Sequence, residues 1–108
     1  MSKILVFGSI NVDYVAPVNR LPGPGETIKT DSYDALPGGK GANQALAAAR
    51  NGAKTAMIGA IGSDGLEGVS LSQLLIAGVD TAGVKTYPRA SGLAMIAVDE
   101  KGENQIVV

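Results

Sequence analysis

The chain opens on a near-continuous apolar run, Lys3-Ile-Leu-Val-Phe-Gly-Ser-Ile10. Such a run predicts a strand buried on both faces, as in a parallel sheet covered by helices. From Asn11 to Val18 the pattern becomes alternating: Val12, Tyr14, Ala16 and Val18 share one face, and Asn11, Asp13 and Val15 the other. Leu21-Pro-Gly-Pro-Gly25 is a turn cluster, and Glu26 to Leu36 is polar and rich in Thr, Ser and Tyr. Residues 12–36 therefore read as a partly exposed β-appendage outside the core.

From Gly41 onward the period changes. Ala42 to Asn51 is a strong helix by propensity, closed by Gly52 as a left-handed cap, and its alanines let it lie close on a sheet. Lys54 to Ile61 reads as a short apolar strand. Asp64 with Glu67 fits a capping box opening a helix from Gly65 to Ala77, stopped by Gly78. Another strand falls within Val79 to Tyr87. Leu93 to Val98 and Asn104 to Val108 then form a hairpin across the turn Asp99-Glu-Lys-Gly102. Met57 and Met95 read as packing residues.

Strands alternating with helices imply parallel pairing, so the predicted class is α/β, the start of a doubly wound sheet with a β-lid appendage. Residues 1–11 and 37–92 are assigned to its core, and 12–36 and 93–108 to the lid. The apolar ending Ile106-Val107-Val108 reads as a strand whose continuation is missing, which favours a truncated part of a larger enzyme.

Composition removes several chemistries. The 108 residues are 45% hydrophobic with a net charge of −1 and no run of like charge, so a folded domain is expected and a nucleic-acid footprint is not. No apolar stretch is long enough to cross a membrane as a helix, and no basic n-region precedes an apolar h-region, which makes a cytoplasmic protein the default expectation. The chain has no Cys and no His. That leaves carboxylates, Lys, Tyr and backbone dipoles for any catalysis or binding.

Two groups of residues carry candidate chemistry. Asn11 and Asp13, two apart after the first strand, project on one face near a strand's carboxyl end, where open α/β sheets bind ligands. A carboxylate accepts hydroxyl hydrogen bonds and a carboxamide both donates and accepts, a pair suited to a polyol. On spacing alone the pair reads as readily as a strand-end turn. Gly38-Gly39-Lys40-Gly41 leads into the helix, with Asn43 in its first turn. Glycines before a helix suggest a phosphate loop. Yet a P-loop needs Ser or Thr after Lys40, where Gly41 stands, and the dinucleotide fingerprint fails at Gln44.

Gly8-Ser-Ile-Asn-Val-Asp13, Pro24-Gly-Glu26, Gly38-Gly-Lys-Gly-Ala-Asn-Gln44, Gly52-Ala53 and the glycines from Gly59 to Gly68 together resemble the amino-terminal part of the ribokinase and phosphofructokinase-B family of carbohydrate kinases. The similarity runs over the whole chain, and the Gly38 to Gln44 string is closer to the ribokinase branch than to adenosine kinases or fructokinases. The resemblance implies transfer of the γ-phosphoryl of ATP, with Mg²⁺, to the 5-hydroxyl of D-ribose. It implies that Asn11, Asp13, Gly39, Lys40 and Asn43 bind the sugar, and that the lid pairs two subunits in a homodimer or larger oligomer. The family's Gly-x-Gly-Asp helix start, with its catalytic base and anion hole, has no match here; Asp64 in Gly62-Ser-Asp64 reads better as a helix cap. The chain alone is thus expected to lack catalytic residues, a nucleotide site and a metal site. The competing reading is a self-assembling or sugar-binding module without catalysis, resting on the lid face and an unfinished sheet edge.

Overall fold

A computed structural model describes residues 3–108, so the first two residues of the assigned core lie outside the described residues. Two sheets make up the fold. Strands β1 (Lys3–Phe7), β4 (Lys54–Gly62) and β5 (Asp80–Tyr87) form a wholly parallel sheet in the order β1-β4-β5. Strands β2 (Asn11–Pro17), β3 (Asp34–Gly38), β6 (Gly92–Val98) and β7 (Asn104–Val107) form a second sheet in the order β3-β2-β6-β7. Its centre is a parallel seam of β2 on β6, with antiparallel β3 and β7 outside.

Helices α1 (Lys40–Arg50) and α2 (Glu67–Ile76) feed one core with Val6, Ile10, Met57, Ile61 and Val79. Ala42 and Ala45 bring α1 close to the sheet, and Leu74 supplies the anchor of α2. Gly52 ends α1 at φ 92°, with the Ala53 N–H returning to the Ala48 carbonyl. Asp99 accepts the Lys101 and Glu103 amides at 2.9 Å and so shapes the β6–β7 turn.

Four expectations change. The first strand is covered on one face only: Val6 is buried, whereas Leu5 and Phe7 are 64% and 84% exposed, because both helices share a single core. Helix α2 starts at Glu67 behind Leu66 and has no side-chain cap, since the Asp64 carboxylate is engaged elsewhere. Met57 packs without exposure as expected, but Met95 lies 56% exposed on the lid. Val12 is the most enclosed residue of the appendage, closed off at its root where α2 meets β2 and β3. Tyr14 and Ala16, at the same alternation, line an open groove of about 330 Å³ with Met95 and Val107. Tyr14 and Tyr33 stand with ring centroids 5.9 Å apart beside it.

Candidate functional site

The site lies where the two sheets join. After β1 the chain turns through Gly8-Ser9-Ile10 into β2, and the start of α1 packs directly onto that turn. The contact is backbone on backbone: a methyl group on Gly41 would lie 2.6 Å from the Gly8 carbonyl carbon. Gly39 is at φ 98°, and a methyl there would meet the Ser9 carbonyl oxygen at 2.6 Å, so glycine is required twice over. The Ala42 N–H donates to the Ser9 carbonyl at 2.9 Å, and the Gly41 N–H reaches Ser9 Oγ at 3.5 Å. Amides that a phosphate loop would offer to an anion are used here to hold the loop to β1. The geometry agrees with the missing Ser or Thr after Lys40.

Asn11 and Asp13 stand half-buried on one face of β2, in the middle of the second sheet. Register places Asn11 between two glycines, Gly38 of β3 and Gly92 of β6. Neither glycine has room for more. A methyl on Gly38 would sit 2.6 Å from Asp13 Cγ, and one on Gly92 would be driven onto the Asn11 carboxamide. The missing side chains open a notch in which a carboxylate and a carboxamide lie over bare backbone. Among the described residues neither side chain has a hydrogen-bond partner within the protein, so both keep their capacity for a ligand. Asn11 also borders a cleft of about 560 Å³ that runs over the carboxyl-terminal halves of β1, β4 and β5, with Ser9, Lys85, Tyr87 and Gly92.

The structure brings Asn11, Asp13, Gly38 and Gly39 together and places Lys40, exposed and outside any ion pair among the described residues, at the mouth of the loop. Asn43 is exposed on the first turn of α1 and borders a small cleft with Pro37, Ser70 and Gln73. Gly92 and Ser9 escaped the sequence reading. The only signal for Gly92 was an isolated glycine at the head of an apolar strand, which marks a close backbone approach. Among the described residues no group of three Asp or Glu side chains could hold a metal ion, and no helix is long and apolar enough to cross a membrane.

The sequence pattern of the pfkB family carbohydrate kinases matches residues 1–108. The chain belongs to this family. A ribokinase of Haemophilus influenzae is 44% identical over 110 residues, covering 100% of the chain and 36% of the relative. A crystal structure of ribokinase from Cryptococcus neoformans in complex with ADP superposes with a TM-score of 0.86 at 41% identity, over 99% of this chain and 34% of that one. A ribokinase of Arabidopsis thaliana complexed with ribose and ATP gives 0.77 at 31% identity, over 98% and 35%. The pfkB chain described here thus spans about a third of the length of these relatives. Their likeness bears out the α/β class with its parallel sheet.

Proposed function

We propose that this chain is the sugar-binding wall of a ribokinase-type kinase that phosphorylates D-ribose at its 5-hydroxyl in the cytoplasm. The observation that carries this reading is the notch on β2, where Asn11 and Asp13 lie unpaired between Gly38 and Gly92. Asp13 accepts two sugar hydroxyls, Asn11 donates and accepts, the Gly39 backbone closes on the ring, and Lys40 and Asn43 bind from the rim of α1. The ribokinase relatives described with ADP, or with ribose and ATP, support both the sugar and the phosphoryl donor.

ATP and Mg²⁺ belong to groups outside this chain. The Ala42 and Asn43 amides of α1 already donate to the Ser9 and Gly39 carbonyls, which leaves them unavailable to a phosphate. Phosphoryl transfer is positioning and electrostatic stabilisation, so the wall alone binds without catalysing. The lid groove of Tyr14, Ala16, Met95 and Val107 supports pairing of two copies, face to face, through an apolar surface.

The test is a D-ribose titration of the 108-residue chain followed by the resonances of Asn11, Gly39 and Asn43, with ADP release measured in parallel. Millimolar binding that Asp13→Ala abolishes, with no ADP released, is the expected result. Unmoved Asn11 and Gly39 resonances at saturating sugar would refute the site, and ribose-dependent ADP production would refute the division of labour. Sedimentation of a strictly monomeric chain at high concentration would remove the lid pairing.

A further inference from the structure

Asp64 was expected to cap α2, and the structure gives its carboxylate another occupation. Oδ2 accepts the Ser91 N–H at 2.7 Å, Oδ1 accepts the Ser91 hydroxyl at 2.8 Å, and Oδ1 also takes the Leu66 N–H at 3.3 Å. The Ser91 Oγ in turn accepts the Gly62 N–H at 3.2 Å. Ser63 N–H reaches the Tyr87 and Arg89 carbonyls at 3.0 and 3.2 Å. Gly62 has no space for a side chain, since a methyl there would lie 2.5 Å from the Ala90 carbonyl carbon. Ser91 is buried although its carboxylate partner is at the surface. These bonds hold the Asp64 carboxyl below the usual carboxylate range, the Ser91 amide and hydroxyl being the main cause.

The place of this tie in the chain gives it a consequence. Ser91 is the residue at which the chain leaves the parallel sheet after β5 and enters the lid sheet as β6. The next residue, Gly92, pairs with Asn11 and lies directly beneath its carboxamide. A carboxylate at the end of β4 therefore fixes the backbone that borders the notch, without itself facing it. Helix capping would need none of this, and α2 forms with no side-chain cap at all.

We propose that Asp64, acting through Ser91, is a positioning residue for the sugar site: it holds Gly92 against Asn11 and so sets the affinity of the notch for a polyol. The inference rests on the reading of Asn11 as a sugar ligand. Without the tie, the head of β6 drifts and Asn11 loses the bare backbone that keeps its carboxamide turned into the notch. The effect is that of one sugar hydrogen bond made poorly, about tenfold in Kd or ~1.4 kcal/mol.

The test uses the 108-residue chain and three variants, Asp64→Ala, Asp64→Asn and Ser91→Ala, each read by D-ribose titration and by amide hydrogen exchange. The expected result is a Kd about tenfold weaker in Asp64→Ala, with faster exchange at Gly92 and Leu93. Asp64→Asn keeps one carbonyl acceptor for Ser91 and falls between. A double variant of Asp64→Ala with Ser91→Ala is no weaker than the worse single, because both remove one tie. A role in stability alone would lower the folded fraction and leave the Kd of the folded form unchanged, which overturns the proposal. If Asp64→Ala does not fold, Asp64→Asn and Ser91→Ala decide the matter in the same way. A parent chain with no ribose response sinks the sugar reading and this inference with it, whereas a responsive parent and unresponsive variants sink this inference alone.

Discussion

Replacing Gly41 by alanine sets two effects of opposite sign against each other. Gly41 is the second residue of α1, and alanine is the better helix former by up to about 1 kcal/mol. The new methyl, however, would stand 2.6 Å from the Gly8 carbonyl carbon and 2.7 Å from the Ser9 nitrogen, all backbone atoms that cannot turn aside. Ordinary contact begins near 3.4 Å, so the start of α1 must withdraw by about 0.8 Å. That withdrawal stretches the 2.9 Å bond from Ala42 to Ser9 beyond useful length. Overpacking of this kind costs about 1–3 kcal/mol and the lost hydrogen bond about 1 more, so the steric side wins. Gly68 supplies the control, being the second residue of α2 with open space around it and no positive φ. Gly68→Ala is expected to stabilise by about 0.4–1 kcal/mol, and Gly41→Ala to destabilise by about 1–3 kcal/mol. Urea unfolding of the two variants beside the parent chain reads both signs. A Gly41→Ala chain as stable as the parent would refute the backbone-on-backbone contact at the site.

Met57 has no exposed surface and sits at the centre of the core, so Met57→Ala should cost about 2–5 kcal/mol in the same assay. Gly38→Ala puts a methyl 2.6 Å from Asp13 Cγ and turns the carboxylate out of the notch; D-ribose binding is expected to weaken at least about tenfold, and an unchanged titration would count against Asp13 as a ligand. Glu26 is held at about 2, first by the Arg20 guanidinium and then by the Gly23 N–H. Its contribution to the loop is therefore present above its ordinary value near 4.5 and is lost as pH falls through about 2. Arg20→Gln should return the Glu26 titration, followed by NMR, towards the ordinary value.

The alternation of strands and helices was legible because each element carries its own period and its own stop. The glycines at 52 and 78 end their helices with positive φ where the pattern asks for it. Residues at positions 11 and 13 were legible as a pair because the strand period puts them on one face. Their glycine walls were only half legible, since Gly92 reaches Asn11 through a pairing of distant segments that no local pattern encodes. Asp64 misled for a related reason. Its spacing to Glu67 satisfies a local capping rule, but Ser91 offers the carboxylate two donors from far along the chain. The exposure of Leu5 and Phe7 was illegible because an apolar run says what a face prefers and not what covers it.

The parallel seam between β2 and β6 also governs how the lid comes into being. The pairs β2–β3 and β6–β7 are each antiparallel ribbons of neighbouring strands, and a two-stranded ribbon alone is marginal in water. Joining them requires Asn11 to meet Gly92, a closure spanning most of the chain whose entropic cost precedes any reward. The core of α1, α2 and the parallel sheet performs that closure by bringing the ends of β1 and β5 to one edge of that sheet, on either side of β4. The lid is thus expected to be the last part of this fold to assemble and the first to be lost when the core loosens.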